Sequence, residues 1–345
     1  MTDTRSVVVT GANKGIGFAI TKALIERGLF VFLGSRDVKR GEAAVESLSA
    51  EHQKRVEVVQ LDVTDEVSVR RAAGTVATRL AGVPLYGLVN NAGGGPPAID
   101  KYVNAEDFGF YCDLNLFGVV RVTEAFLPVL ATHARIVMIS SGGAPSYVSK
   151  MSAERQKLFL SVEHGTRITK EQVVALVNEA CEITATCTDR NGVVRSFDAA
   201  GLGDGAVYGL SKACLNAYTT ALAQQQPEMT INACSPGFIE TDLTRRVADN
   251  MGKSPAEIGC LPVARATVSP LYLLLDEGVP GSGWYFGSDA KRSPPHVYRS
   301  PGSAEYDGSG EYASATRSTL FEPSEAKRQK SSDGGGAPSA SEKSQ

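Results

Sequence analysis

Histidine and cysteine are scarce in this chain of 345 residues, with 4 and 6 respectively, and their placement excludes more than their number. The cysteines (Cys112, Cys181, Cys187, Cys214, Cys234 and Cys260) form no Cys-x-x-Cys pair and stand at no zinc-type spacing from His52, His133, His164 or His296. They read as reduced, mostly buried thiols, the histidines read as surface or loop residues, and no metal is expected. The Gly-x-Ser-x-Gly elbow of many hydrolases is missing, as is the His-Glu-x-x-His of zinc peptidases. Charge of one sign is lacking too: 35 Lys+Arg against 38 Asp+Glu leave a formal net charge of −3, which gives no electrostatic reason to expect nucleic acid or an anionic membrane as partner. No apolar run approaches membrane-spanning length, and residues 1–6 enter a strand pattern without an apolar signal region, so a cytoplasmic protein is the expectation. Partners should be small molecules or other proteins.

What the chain does have is alternation. Apolar runs of strand length and segments of helical spacing follow one another from residue 6, the pattern of a parallel sheet with helices on both faces. Strands are expected at 6–10, 30–33, 56–60, 86–90, 135–140, 230–235 and 283–286, and helices at 15–27, 38–51, 65–80, 105–130, 208–225 and 255–275. Together they describe one α/β domain over 1–293, a doubly wound parallel sheet of Rossmann type with about seven strands. Residues 144–205 break the rhythm. There Thr169 and Gln172 form a capping-box signature before Val173, Leu176, Val177 and Ala180 at helical spacing, so this helical insertion should be ordered and packed. From 294 to 345 the composition turns to Ser, Gly and Pro, and disorder is expected from about residue 322. The basic run Ala326-Lys-Arg-Gln-Lys330 reads as solvated charge in preference to a nuclear address.

Two motifs carry chemistry. Thr10-Gly-Ala-Asn-Lys-Gly-Ile-Gly17 lies between the first strand and the first helix, where Gly11, Gly15 and Gly17 let the backbone turn tightly and approach a pyrophosphate at a positive helix end. No Gly-Lys-Ser/Thr closes it, so it is not the loop of nucleotide-hydrolysing enzymes. Tyr208 and Lys212 stand four apart, on one face of a helix. A cation beside a phenol favours the phenolate and lowers its pKa, which suits a proton donor at neutral pH. Alone, such a pair also fits a surface helix with an aromatic residue and a solvated charge. At the end of the second strand, an acidic residue would hold the ribose 2′-hydroxyl of NAD, and an arginine the 2′-phosphate of NADP. Ser35-Arg36 stands there, with Lys14 as a second cation, so NADPH is expected; Asp37, one residue later, argues weakly the other way.

With Leu61-Asp-Val-Thr-Asp65, Asn90-Asn-Ala-Gly93, Ile139-Ser-Ser141 and Ser235-Pro-Gly237, these motifs stand in the order found in the short-chain dehydrogenase/reductase family, which the chain resembles over residues 6–286. The resemblance implies a catalytic tetrad of Asn115, Ser141, Tyr208 and Lys212. In it Tyr208 would protonate a carbonyl oxygen while NADPH gives hydride to its carbon, and Ser141 would hydrogen-bond that oxygen. Lys212 would lower the phenol's pKa and hold the nicotinamide ribose, and Asn115 would hold a water that continues the proton path. Ser140 would face away from Ser141 on a strand. The resemblance further implies cofactor contacts at Gly11, Asn13, Lys14, Gly15, Ile16, Gly17 and Arg36. It adds Asp62 and Val63 near the adenine, Asn90, Ala92 and Gly93 after the fourth strand, and Pro236, Gly237 and Thr241 beside the nicotinamide, with Tyr208 and Lys212 themselves.

The insertion between Ser141 and Tyr208 resembles that of the monomeric carbonyl reductases, as do Leu33-Gly-Ser-Arg-Asp-Val-Lys-Arg-Gly41 and the glycine turn. This implies reduction of aldehydes, ketones or quinones with NADPH. It also implies a monomer, because an ordered insertion would cover the helices through which the wider family dimerises. Tyr147-Val-Ser-Lys150 has the wrong spacing for a catalytic pair and belongs to the pocket wall or the insertion. Gly283-Trp-Tyr-Phe-Gly287 and the segment after it depart from the carbonyl reductase pattern, and Trp284 and Tyr285 either line the pocket or sit in the core. Two alternatives stay open: an NADP-dependent alcohol or steroid dehydrogenase working oxidatively, and an NADPH-binding regulatory protein without turnover.

Overall fold

Most strands of this chain are apolar on both sides because the sheet they build is covered on both faces. In the computed structural model, which describes residues 5–96, 103–162 and 164–309, seven strands form one parallel sheet. They are β1 (Ser6–Val9), β2 (Phe30–Ser35), β3 (Val56–Gln60), β4 (Leu85–Asn90), β5 (Leu130–Ile139), β6 (Thr230–Cys234) and β7 (Tyr285–Phe286), in the order β3-β2-β1-β4-β5-β6-β7. Alternate residues serve opposite cores. Val8, Phe32, Leu88 and Ile136 enter one, while Val7, Val9, Leu33, Val89 and Val137 enter the other. The first core is closed by α4 (Glu66–Leu80), α5 (Ala105–Cys112), α6 (Gly118–Phe126) and α11 (Val207–Gln225), and the second by α1 (Gly15–Ile25), α2 (Val38–Glu46) and α13 (Val268–Leu275). The result is the expected doubly wound, Rossmann-type sheet.

Between β5 and α11 the insertion folds as α7 (Gly143–Val148), α8 (Ala153–Phe159), α9 (Lys170–Ala185) and α10 (Arg190–Ala199). The capping box is present at the start of α9, with Gln172 N donating to Thr169 Oγ1 (3.3 Å) and Thr169 N to Gln172 Oε1 (2.9 Å). Val173, Leu176, Val177 and Ala180 are buried behind it. Helix α9 packs against α5 and α11.

Some expected helices differ. The helix over 38–51 ends at Glu46, because Ser49 caps a separate short helix α3 (Ala50–Gln53) by accepting from His52 N. The long helix over 105–130 is divided by a π turn, Asp113–Phe117, and β5 already begins at Leu130. The helix over 255–275 shortens to α13, preceded by a 3-10 turn, Val263–Thr267, that Pro262 leads in. A helix that the sequence did not suggest, α12 (Asp242–Asn250), is capped by Thr241 and Thr244. The expected disorder from residue 322 and the basic run at 326–330 lie outside the described residues.

Candidate active site

Strand order reverses between β1 and β4, and the crevice beyond their carboxyl ends is where doubly wound sheets place a ligand. The glycine turn rises from β1 and the Asn90-Asn-Ala-Gly93 string leaves β4, so the topology itself brings the two motifs together. Gly11 (φ +60°) and Gly15 (φ +56°) hold left-handed backbone that side chains disfavour. A Cβ on Gly11 would fall 3.0 Å from Ala92 Cα, and one on Gly17 would fall 2.4 Å from Asn91 Nδ2. The two loops are clipped together by residues absent from the expected site. Thr10 Oγ1 accepts from Asn91 N and Ala92 N (both 2.9 Å), and Asn91 Nδ2 donates to Thr10 O (2.8 Å) and Gly11 O (3.1 Å). Asn13 and Ile16 are half-buried, Ile16 against the α1 core, while Lys14 is exposed and provides no side-chain cap to α1.

Asn90 departs from expectation. Its buried amide donates into the core, to Thr123 Oγ1 (3.0 Å) and Met138 Sδ (3.2 Å), so the side chain that meets the glycine turn is that of Asn91. Alternation along the end of β4 turns these neighbours to opposite sides.

At the end of β2 the cations are unevenly placed. Arg36 is exposed, with Nε 4.0 Å from Asp62 Oδ2, and Asp62 Oδ1 is held by Thr64 N (3.0 Å) and Thr64 Oγ1 (2.7 Å). Asp37, which argued for NAD, caps α2 through Arg40 N (3.2 Å) and pairs with Arg40 Nε at 3.6 Å. Lys14 is paired with Asp242 at the head of α12, and that cation holds the Asp242 carboxyl below the usual carboxylate range. Val63 is buried, and its carbonyl accepts from Arg121 Nη1 (2.6 Å).

The four expected tetrad residues converge from three elements. Lys212, on α11, is 4% exposed and its Nζ donates to Ile139 O at the end of β5 (2.9 Å). A Cβ on Gly93 would fall 3.1 Å from that Nζ and 2.9 Å from Asn115 Oδ1. Asn115 is fully buried inside the π turn. Its Nδ2 donates to Gly94 O (2.8 Å) and Ser211 Oγ (3.0 Å), and its Oδ1 accepts from Gly94 N (2.9 Å). Both polar atoms of this amide therefore have protein partners, and its side chain fixes the loop after β4. Ser141 Oγ and the Tyr208 ring meet at Gly143, where a Cβ would fall 3.4 Å from Ser141 Oγ and 3.7 Å from Tyr208 Cε1; Ser141 Oγ accepts from Gly143 N (3.1 Å), and Gly95 lies against the Tyr208 ring. Ser140 is turned to Lys212 O (3.4 Å) and is 3% exposed.

Burial pushes the Tyr208 phenol up, more than the Ser141 hydrogen bond pulls it down, so the expected net lowering is not what this arrangement gives. Lys212 turns its ammonium to the Ile139 carbonyl, and its own burial lowers it to about 8. A lysine in an unfolded chain titrates near ~10.4, so between the two values the unfolded state binds more protons. The stability of the wild type relative to Lys212→Met should therefore rise with pH from about 8 to 10.4, by up to about 3 kcal/mol. Urea unfolding of both proteins at pH 7 and pH 10 measures it, and a pH-independent difference would contradict the burial of this ammonium.

Beside the crevice, Pro236 is buried, and Gly237 (φ +98°) donates its N–H to Ser235 Oγ (3.2 Å). Thr241 Cγ2 lies 3.8 Å from where a Cβ on Gly15 would stand, so the head of α12 borders the glycine turn. Tyr147 donates to Leu202 O (2.6 Å) and Lys150 pairs with Asp204 at 2.7 Å, which places that near-match within the insertion. Tyr285 is buried and hydrogen-bonded to Ser235, whereas Trp284 is half-buried beneath the Arg292 guanidinium, 3.8 Å from its ring centre.

A family model described as short chain dehydrogenase matches residues 5–153. The chain is 32% identical over 305 residues to salutaridine reductase of Papaver bracteatum, covering 78% of this chain and 92% of that protein. It is 33% identical over 301 residues to carbonyl reductase (NADPH) 1 of Sus scrofa, covering 84% and 93%. The solved structure of salutaridine reductase from Papaver somniferum superposes with a TM-score of 0.66 at 28% identity, over 82% of this chain and 99% of that one.

Proposed function

The chain belongs to the short-chain dehydrogenase/reductase family, and on that premise we propose that it reduces aldehydes, ketones or quinones to alcohols with NADPH. The observation that carries this reading is the convergence of the buried Lys212 ammonium, Asn115 and the Tyr208 ring on the backbone of Gly93 and Gly95, with Ser141 Oγ beside Tyr208 at Gly143. The crevice fits a dinucleotide. Its floor is glycine backbone packed so closely against Ala92 and Asn91 that a Cβ at Gly11 or Gly17 would clash with them, and Arg36 stands at the ribose end. Gly11, Gly15, Gly17, Ala92 and Gly93 would hold the dinucleotide, Arg36 and Lys14 its 2′-phosphate, and Lys212 its nicotinamide ribose. When bound, NADPH supplies the hydride.

The protein's own residues manage the oxygen. Ser141 donates to the carbonyl oxygen and so stabilises charge as it develops there. Tyr208, kept protonated at neutral pH by burial, enters the reaction as the acid and gives its phenolic proton to that oxygen. Lys212, still mostly charged at pH 7 with a pKa of about 8, stabilises the phenolate left behind. A set of Asn115, Ser141, Tyr208 and Lys212 gathered around the Gly93–Gly95 and Gly143 backbone disfavours a purely regulatory role. The names of the two relatives and the NADPH in one of them support the reductive direction.

Packing of α9 over α5 and α11 supports a monomer, since those helices are the ones by which the wider family pairs. Among the described residues no helix is long and apolar enough to cross a membrane, and a cytoplasmic setting completes the proposal.

Gly93→Ala tests the crevice. Its methyl group would press on Lys212 Nζ and Asn115 Oδ1, and displacing a positioned group by a fraction of an ångström to an ångström costs up to about 100-fold. Steady-state kinetics should show kcat/KM for NADPH lowered by about 10-fold or more. Unchanged kinetics would show that this contact is slack.

A further inference from the structure

Beyond β7 the chain is pinned by a buried arginine. The Arg299 side chain is fully buried and each of its nitrogens has an acceptor. Nε donates to Ser293 Oγ (2.9 Å), Nη1 to the carbonyls of Ser300 (3.3 Å) and Ser303 (2.9 Å), and Nη2 to Asp289 Oδ1. The other Asp289 oxygen accepts from Gly302 N (2.8 Å). Ser293 N donates to Tyr285 O (2.8 Å) and Gly287 N to Lys291 O (2.9 Å), which fastens the loop to β7. A desolvated guanidinium is tolerated only where its donors are satisfied together, so residues 287–303 hold one conformation.

That conformation delivers Tyr298 to the candidate active site. Its Cε2 and Cδ2 lie 2.7 and 3.2 Å from where a Cβ on Gly142 would stand, so only glycine at 142 admits the ring. Gly142 follows Ser141 directly, and a Cβ on Gly143 would touch Ser141 Oγ (3.4 Å) and Tyr208 Cε1 (3.7 Å). The half-buried ring thus lies against the backbone that follows β5, one residue from Ser141.

We propose that Tyr298 is a specificity-determining wall of the substrate site, selecting carbonyl compounds that carry a flat aromatic or conjugated group next to the reacting carbon. The inference rests on the reductase reading. It assigns to the segment after β7, which resembles nothing in the carbonyl reductase pattern, the choice of substrate. Offset or edge contact with an aromatic ring is worth about 0.5–1.5 kcal/mol, a factor of about 3 to 10.

The test compares kcat/KM for acetophenone and for cyclohexyl methyl ketone, which share size and reacting group, in wild type, Tyr298→Phe and Tyr298→Ala. The aromatic-to-aliphatic ratio should fall by about 3- to 10-fold in Tyr298→Ala, chiefly through KM for acetophenone, and be retained in Tyr298→Phe. Melting temperatures of the three proteins show whether the loop still folds, and Tyr298→Phe carries the test if the alanine variant does not. A ratio unchanged in Tyr298→Ala, or lost equally in Tyr298→Phe, overturns the wall. Wild type inactive on both ketones and on quinones and aromatic aldehydes as well would instead sink the reductase reading. Calorimetric binding of the same two ketones then judges the ring alone, and equal aromatic preference in wild type and Tyr298→Ala overturns it.

Discussion

Tyr208→Phe should lower kcat/KM for every carbonyl substrate by about 10²–10⁴-fold, the range that general acid catalysis spans, while NADPH affinity stays within a few-fold. Phenylalanine keeps the ring that lies under Gly95 and beside Gly143, so the crevice walls hold their shape. Only the hydroxyl is lost, and with it the proton that the carbonyl oxygen must receive. Fluorescence titration with NADPH reads binding and steady-state turnover reads chemistry. A variant that binds NADPH and still turns over within 10-fold of wild type, a loss smaller than about 1.4 kcal/mol, would remove Tyr208 from the role of acid.

Arg36→Asp should shift the ratio of kcat/KM with NADPH to that with NADH by about 100-fold or more towards NADH. Hydrogen bonds to a charged partner are worth about 1.5–3 kcal/mol each, and the introduced carboxylate would both repel a 2′-phosphate and accept from a 2′-hydroxyl. The prediction falls on Arg36 because the neighbouring charges are engaged: Asp37 caps α2 and pairs with Arg40, and Lys14 pairs with Asp242. Arg36 has only the Asp62 carboxylate, at 4.0 Å. Comparable wild-type efficiencies with NADH and NADPH would contradict the assignment.

The sheet was legible because parallel strands covered on both faces carry apolar residues at every position, and such runs stand out from helices on length alone. All seven strands were found, as was the capping box of α9, whose signal is two residues at a fixed spacing. Features that depend on register or distance were not legible. The π turn at Asp113–Phe117 shifts the helical period by one residue within a long amphipathic stretch, and that shift is what folds Asn115 inward onto Gly94. Helix α12 spaces Leu243, Val247 and Ala248 along one face, but over nine residues that run is too brief to stand out from its polar surroundings.

Within the site, the Tyr208–Lys212 pair could be read from its spacing and Asn115 and Ser141 from the family resemblance, but the roles of adjacent residues could not. Which of Asn90 and Asn91 faces the glycine turn depends on where β4 ends, and one position reverses the answer. The direction of the Tyr208 pKa is set by how deeply the fold buries the phenol, which no spacing records. Arg299 binds groups from Asp289 to Ser303, across the point where the composition turns to Ser, Gly and Pro and no periodicity marks an element, so its pinning of Tyr298 appears only in three dimensions.

The central claim is hydride transfer from NADPH to a carbonyl carbon, and its most direct measurement uses NADPH deuterated at the transferable position. Wild-type protein would be incubated with a panel of quinones, aromatic aldehydes and aliphatic ketones, and the products read by mass spectrometry. The account predicts an alcohol or hydroquinone formed in step with NADPH consumption, with one deuterium on the former carbonyl carbon of each aldehyde or ketone product, and loss of both signals in Tyr208→Phe. Tight NADPH binding with no deuterated product from any member of the panel would contradict it.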